Sequence, residues 1–272
     1  MRKALSCLVV SVLLGLGLAS VPRGETAGAA GISKAGPVAG GGRSWKPHVR
    51  SAKRYARDRA GEVRFAFIDL GGRMHKFHAA QTVPSASVIK VMFLAAYLRR
   101  DSVRHRDLNQ SEKDLLSPMI RRSDNDAASR VSAIVGPAAI EALARDAHMR
   151  DFRYDPQVWG LSRISSRDQA TFMYHLGRYI PRRHWHYARK LLSSIVPSQR
   201  WGVAKARPTG WKLFFKSGWG VGDGSVENQV SFLERHHQRV AIAVLTEFDP
   251  SHVYGEKTEE GIAKRLLRGL PR

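Results

Sequence analysis

The most constraining stretch of the sequence is residues 84–98, PSASVIKVMFLAAYL, in which Pro84 and Ser85 precede a run of mostly apolar residues. Proline and serine are residues at which helices commonly begin. From Val88 onward nearly every position is apolar, and a helix that is apolar on all sides has to be buried. The run therefore predicts a buried helix around which the other elements of the fold pack.

Two polar side chains, Ser87 and Lys90, stand at the beginning of this helix. Residues three apart project from the same face of a helix, so the hydroxyl and the ammonium group come together. Burial can lower the pKa of a lysine enough for it to act as a base, and a nearby base is what makes a serine hydroxyl nucleophilic. Alone, however, the S-x-x-K pattern more often marks a capping serine and a lysine that reaches solvent.

The flanking patterns predict an α+β fold with two lobes. A helix at 47–60 comes first, and two strand-like runs then flank a Gly-Gly pair, which indicates a hairpin. Residues 99–210 have helical patterns, with Ser111 and Asp114 as a capping box. The five extended runs are 63–70 and 73–78, which form the hairpin, and 212–217, 229–235 and 240–247 near the end of the chain. A helix at 255–270 closes the chain.

This order predicts a five-stranded antiparallel sheet built from both ends of the chain and flanked by helices, with an all-helical lobe inserted. The α/β lobe would comprise 45–98 and 211–272, and the helical lobe 99–210. A cleft between such lobes is the usual place for a site.

The amino-terminal segment 1–29 has the pattern of a secretory signal, with basic residues, the apolar run 4–19 and then small residues. Residues 30–44 are rich in Gly and Ala and are expected to form a flexible linker. We therefore expect a secreted or cell-envelope protein, with an uncleaved membrane anchor as the alternative. The one cysteine, Cys7, lies inside the signal, so no disulfide is expected after export.

The formal net charge of +22 indicates anionic surroundings. Because the basic residues are scattered, we interpret them as a solvated surface that keeps an exported protein near anionic cell-wall polymer. No nucleic-acid motif is present, so a nucleic-acid partner is not expected. The histidines lack acidic or thiolate neighbours, so neither a metal nor a cofactor is predicted, and we expect a monomer.

Two further motifs fall where a site between the lobes would need them. Residues 123–125, Ser-Asp-Asn, lie at a break between two helical runs, and residues 216–218, Lys-Ser-Gly, lie on the first returning strand. Alone, each is typical of a turn or a strand end. With S-x-x-K, however, they resemble the three motifs of the penicillin-recognising serine enzymes, in the same order and on the same kinds of element. From about residue 46 onward the chain is similar to the class A β-lactamase and D,D-peptidase superfamily.

The resemblance implies a β-lactamase-like fold and a role for each polar residue of these motifs. Ser87 would attack the carbonyl of a β-lactam or a D-alanyl peptide and form an acyl-enzyme, and Lys90 would accept its proton or hold a water that does. Ser123 would relay a proton to the leaving nitrogen, with its pKa lowered by Lys216. Asn125 would bind the substrate's side-chain amide and Lys90.

The third motif would hold the substrate. Ser217 and Lys216 would bind its carboxylate, and Gly218 and Trp219 would complete the substrate-binding strand. In this family two backbone N–H groups form the oxyanion hole, and these map to Ser87 and Trp219. Loss of one such donor typically slows the reaction by on the order of a hundredfold or more.

One expected residue is missing. Class A β-lactamases carry a glutamate after the S-D-N motif that activates the deacylating water, but no glutamate occurs here between Glu141 and Glu227. Asp155 is the only carboxylate near the middle of 151–166. Three outcomes stay open: a β-lactamase-type hydrolase with another water activator such as Lys90 or Asp155, a penicillin-binding D,D-peptidase-like enzyme with slow deacylation, or a non-catalytic cell-wall-binding module. Family resemblance favours the first.

Overall fold

The apolar run forms the buried helix that the sequence predicts. The structure, a computed structural model, describes residues 45–220 and 225–271; the predicted signal (1–29) and linker (30–44) lie outside the described residues. A 3-10 turn, Ala86–Ile89, leads into the helix Lys90–Leu98, of which every residue is buried. This helix contacts four helices of the middle segment, so its apolar surface is covered on all sides.

Strands from both ends of the chain form one five-stranded antiparallel sheet in the order β2-β1-β7-β6-β5, which confirms the predicted topology. A separate pair, β3 and β4, joins the segment before the central helix to the middle of the chain. The strands of the described residues are β1 (Glu62–Ile68), β2 (Met74–Phe77), β3 (Thr82–Pro84), β4 (Arg163–Ser165), β5 (Lys212–Trp219), β6 (Val226–Arg235) and β7 (Gln238–Glu247).

Helices cover both faces of the sheet. They also make up most of the chain between β3 and β5. α1, α10 and α11 lie together on one face, while α7 packs against β1, β6 and β7, and α9 packs on β5. The helices of the described residues are α1 (Val49–Arg57), α2 (Lys90–Leu98), α3 (Asp101–Arg104), α4 (Gln110–Arg121), α5 (Asn125–Val135), α6 (Pro137–Asp146), α7 (Ser166–Tyr174), α8 (Leu176–Tyr179), α9 (Arg182–Ser193), α10 (Val203–Ala206) and α11 (His252–Leu266).

Two local predictions were wrong for identifiable reasons. The capping box of α4 is not Ser111 with Asp114: Asn109 accepts from the Glu112 N–H at 2.9 Å, and Glu112 accepts from the Asn109 N–H at 2.9 Å. Asparagine caps as well as serine does, and the helix begins at the earlier signal. β6 begins at Val226, three residues before the predicted 229, because the polar residues Glu227 and Asn228 are buried and paired with β5 and β7.

Within the described residues, no single helix is both long and apolar enough to cross a membrane. Only α5 and α6 taken together reach the required length and composition, and they meet at a bend of 84°.

Candidate active site

Ser87 lies in a turn whose backbone is held from outside. The preceding residue, Ala86, has a φ of +44°, a region that side-chain-bearing residues seldom adopt and that is enriched at functional sites. The Ser85 N–H donates to the Ser162 carbonyl at 2.7 Å, and the Ser85 hydroxyl lies 3.4 Å from the carbonyl oxygen of Trp159. The loop 151–162 therefore fixes this turn, and the Ser87 side chain remains half-buried.

Lys90 follows one turn later and is fully buried. Its ammonium group donates to the Ser123 carbonyl at 2.6 Å, to Asn125 Oδ1 at 2.7 Å and to Ser123 Oγ at 3.3 Å. Burial lowers its pKa from 10.5 to about 7, although the Asp124 carboxylate opposes the shift. Lys90 is therefore close to half-neutral at neutral pH, as a proton acceptor has to be. Among the described residues, no hydrogen bond joins Lys90 to Ser87. Hydrogen bonds between catalytic groups are often long before substrate binds.

Lys216 reaches the same hydroxyl from the edge strand of the sheet. It is fully buried on β5, and Nζ donates to Ser123 Oγ at 2.9 Å and to the Ser217 carbonyl at 2.7 Å. Burial lowers the pKa of Lys216 well below its usual value, and the charge of Lys90 lowers it further. Two buried lysine amino groups, each with a lowered pKa, therefore lie at one hydroxyl.

Ser123 owes its position to the break between α4 and α5. Its φ of +60° ends the first helix, and Asp124 begins the second by accepting from the Ala127 N–H at 2.8 Å. The predicted break in the S-D-N motif is thus present. It turns the Ser123 hydroxyl toward the two lysines rather than along either helix.

Gly218 allows the edge strand β5 to lie directly against the turn that contains Ser87. A Cβ at this position would come within 2.7 Å of the backbone nitrogens of Ser87 and Val88, so a side chain is excluded. The Gly220 N–H bonds to β6 at 3.0 Å. Because neighbouring N–H groups of a strand point to opposite edges, the Trp219 N–H points to the free edge of β5.

The sequence did not identify Gln229, which orients Ser217. Gln229 is opposite Ser217 in the β5–β6 register, and its Nε2 donates to Ser217 Oγ at 2.9 Å. Its Oε1 accepts from the Val203 N–H at 2.5 Å, which fixes the amide. Since the Ser217 hydroxyl already accepts a hydrogen bond, its own proton is free to point into the site. A polar residue on an otherwise buried strand was the available signal.

The loop 151–162 brings an aromatic ring, not a carboxylate, to Lys90. The Trp159 ring centroid lies 5.0 Å from Lys90 Nζ, and the ring meets Phe93 edge-on at 5.9 Å. Asp155 turns away: its Oδ1 accepts from the backbone N–H groups of Gln157 and Val158 at 2.9 and 2.8 Å. The structure therefore brings all eight predicted site residues together but leaves Asp155 in a turn of its own loop.

Metal ligation has no visible basis in the described part of the chain. No group of three or more histidine, cysteine, aspartate or glutamate side chains is placed there to hold an ion. The polar chemistry of the site consists of hydroxyl, ammonium, amide and backbone groups.

A serine turn at the head of a buried helix, an S-D-N break and a Lys-Ser-Gly edge strand are the features of the class of β-lactamase-related serine hydrolases. The family model of the beta-lactamase enzyme family matches residues 104–269, and the chain belongs to this family. The match includes Ser123 and Lys216 and begins after Ser87 and Lys90.

Solved structures share the fold at low sequence identity. A beta-lactamase from Sphaerobacter thermophilus has a TM-score of 0.71 at 20% identity, covering 83% of this chain and 98% of its own. The class A beta-lactamase from Mycobacterium abscessus gives 0.69 at 19%, covering 81% and 98%. PBP-A gives 0.64 at 16%, covering 80% and 94%. A comparison with curated protein sequences found no match.

Proposed function

We propose that this chain is a serine hydrolase that is acylated at Ser87 by β-lactams or D-alanyl peptides. The observation that carries the proposal is the Ser123 hydroxyl held between two buried lysines, 3.3 Å from Lys90 Nζ and 2.9 Å from Lys216 Nζ. A hydroxyl so placed is able to deliver a proton and to be resupplied with one from an ammonium group. Structural packing alone does not need two buried lysine side chains at one hydroxyl, since burying a charge or an ionisable group is costly.

Acylation would proceed as follows. The Ser87 oxygen attacks the substrate carbonyl, and its proton passes to neutral Lys90. The backbone N–H groups of Ser87 and Trp219 would stabilise the oxyanion. As the amide C–N bond breaks, Ser123 protonates the leaving nitrogen and recovers a proton from Lys90 or Lys216. The product is an ester on Ser87 and a free amine.

A substrate carboxylate would bind at Ser217 and Lys216. The Ser217 proton is free to donate to it, because Gln229 supplies the other hydrogen bond of that hydroxyl. An incoming anion would also favour the charged form of Lys216, whose pKa burial has lowered. Carboxylate-bearing substrates would thus set the protonation state that the leaving-group step requires.

We further propose that the acyl-enzyme is long-lived, so that the protein behaves as a penicillin-binding D,D-peptidase-like enzyme rather than a fast β-lactamase. Trp159 is the side chain that loop 151–162 places beside Lys90, and Asp155 Oδ1 is used by the backbone of its own loop. Activation of a deacylating water would then depend on Lys90 alone.

Mass spectrometry after incubation with a penicillin tests acylation directly. We expect an adduct equal to the mass of the penicillin on Ser87, absent from Ser87→Ala and present in Ser111→Ala, an exposed serine on α4. No adduct on the wild-type chain would refute the proposal and favour a non-catalytic wall-binding module.

Turnover of a chromogenic cephalosporin separates the two enzyme forms. Slow deacylation predicts a burst stoichiometric with enzyme that then nearly stops. Sustained turnover would instead indicate a β-lactamase with a water activator other than Asp155.

Export and oligomeric state are part of the same proposal. Segment 1–29 would direct the chain to the cell envelope, where cell-wall stem peptides occur, and the protein would act as a monomer. Cell fractionation and the mass measured by light scattering test these two points.

A further inference from the structure

An arginine-rich surface is formed around α8 and α9. Two neighbouring cavities, of about 380 and 630 Å³, share Arg178 in their walls. The smaller one is also lined by Arg99, Arg104, Arg182 and Arg183, and the larger one adds Arg189 and Arg239. We call these seven arginines the arginine surface.

The arginine surface carries more positive than negative charge. Its carboxylate partners in the described residues are Asp101, Asp107, Asp146 and Glu234. Seven arginines against four carboxylates leave an excess of three positive charges before any histidine is protonated. Arg178 and Arg182 are exposed and have no carboxylate partner among the described residues.

The surrounding residues respond to this excess charge. The pKa of His175 is lowered, first by burial and then by the charges of Arg178 and Arg239. His236 and His237 line the same cavity and are exposed. The sequence of α9, RRHWHYARKLLS, has no acidic residue to offset its arginines. Positive charge is thus in excess at this surface.

The surface is separate from the candidate active site. Glu234, in the larger cavity, is opposite Lys212 at the beginning of β5, whereas Gly218, which touches the Ser87 turn, is opposite Asn228. Six residues along a strand span about 20 Å. A ligand on the arginine surface therefore leaves the Ser87 turn open.

We propose that the arginine surface binds a polyol-phosphate polymer, a phosphodiester chain without bases. Arginine presents a planar fork of donors that suits phosphate oxygens. Two adjoining cavities with a shared arginine suit a ligand with repeated anionic groups rather than one small ion. This proposal does not depend on acylation at Ser87.

The aromatic residues of the surface argue against nucleic acid. Binding of single strands uses exposed aromatic faces on which bases stack. Here the Trp185 ring stacks on Phe232 with centroids 6.1 Å apart and planes at 17°. Tyr179 stacks on Phe172 at 5.4 Å and 22°. Because internal packing uses these faces, the surface offers phosphate contacts but few platforms for bases.

A charge-reversal comparison tests the location. Fluorescence anisotropy would measure binding of labelled poly(glycerol phosphate) to the full chain, to Arg178→Glu/Arg182→Glu and to Arg50→Glu/Arg54→Glu. Arg50 and Arg54 are exposed on basic helix α1, so both variants change the net charge equally. We expect affinity to fall roughly tenfold or more in the first variant, with a shallower salt dependence, and to change little in the second. Equal losses in both would mean diffuse attraction and overturn the proposal.

Two other polymers test the assignment of the ligand. Polyglutamate at equal charge should bind more weakly than the polyol phosphate, and equal binding would refute phosphate recognition. Oligothymidylate at equal phosphate concentration should also bind more weakly, and tighter binding would assign the surface to nucleic acid instead. Labelling of Ser87 by penicillin, or an unchanged circular dichroism melt, would show that the Arg178→Glu/Arg182→Glu variant is folded.

Discussion

Lys216 Nζ donates a hydrogen bond to Ser123 Oγ at 2.9 Å, although 93 residues separate the two in the chain. The contact joins the edge strand of the sheet to the break between α4 and α5, and so links the sheet to the helical segment at the site. Lys90, one turn after the nucleophile, reaches the same hydroxyl at 3.3 Å. Ser123 is therefore the residue through which protons at the site would have to pass.

Replacing Ser123 should slow acylation far more than it perturbs folding. Ser123→Ala removes the group that would protonate the leaving nitrogen, and general acid catalysis typically contributes about 10²–10⁴-fold. The second-order rate of labelling by a fluorescent penicillin should fall by that order, while Ser111→Ala on the exposed face of α4 should label normally. Labelling of Ser123→Ala at the wild-type rate would exclude Ser123 from the proton path.

The acylation rate should rise with pH through about 7. Only the neutral amine of Lys90 accepts a proton, and burial lowers its pKa to about 7. Below that pH the group is charged and unable to act as a base; above it the rate should level off. Lys90→Arg keeps a charge that does not titrate in this range, so this rise should disappear. A wild-type rate that is flat or falls between pH 6 and 8 would contradict Lys90 as the base.

The backbone approach at Gly218 should not tolerate a methyl group. The added Cβ of Gly218→Ala would lie 2.7 Å from the nitrogens of Ser87 and Val88, so strand and turn must move apart. A displacement of about 1 Å at a reacting group can cost about a hundredfold in rate. Gly160→Ala is the matched control, because its Cβ would meet nothing closer than Ala86 Cα at 3.9 Å. Similar labelling rates for both variants would show that the contact does not position Ser87.

The sequence predicted those parts of the site that are read from local pattern. An all-apolar run specified the buried helix, and the motif residues fell on the helix, the break and the strand as their neighbours indicated. Gln229 was missed because it belongs to the run Glu227-Asn228-Gln229 near the start of β6, which is polar in sequence but buried in the fold. Such a strand is stable only because partners from distant segments satisfy it; Asn228, for example, donates to the Pro84 carbonyl at 2.8 Å.

The loop 151–162 also could not be resolved from sequence. Asp155 was considered as a water activator because it is the only carboxylate near the middle of that segment. Which way a loop side chain points depends on local hydrogen bonds that composition does not reveal. An aspartate that binds backbone N–H groups two and three residues later forms a turn of its own, and here Asp155 Oδ1 is used in that turn.

Substitution of Asp155 by asparagine should therefore leave the acyl-enzyme lifetime unchanged. Asp155→Asn keeps an oxygen at Oδ1 to accept from Gln157 and Val158, so the loop is preserved while the carboxylate is lost. The lifetime is measured from the decay of the penicillin adduct by mass spectrometry, with Asp155→Ala as the variant that also loses the turn. A markedly longer lifetime in Asp155→Asn would restore Asp155 as the activator of water.

Behind the site, Glu259 should make stability depend on pH in a way that a glutamine would not. Burial raises the pKa of Glu259 well above its usual value, and the charges of Glu227 and Asp249 raise it further. Between the ordinary pKa of about 4.5 and the raised one, the folded chain holds a proton that the unfolded chain has released. The stabilisation is therefore complete below about pH 4.5 and is lost as pH rises toward the raised pKa.

Glu259→Gln has no proton to retain and should escape this loss. The variant should be close to wild type in melting temperature near pH 5 and more stable near pH 8, by on the order of 1–3 kcal/mol for relief of a buried carboxyl group. Glu260→Gln on the next position, where the carboxylate pairs with Lys264 at 2.5 Å on the surface, should change stability by less than about 1 kcal/mol. Thermal melts at both pH values measure the difference. A Glu259→Gln advantage that is constant, or larger at pH 5, would mean that this carboxyl is not protonated in the folded protein.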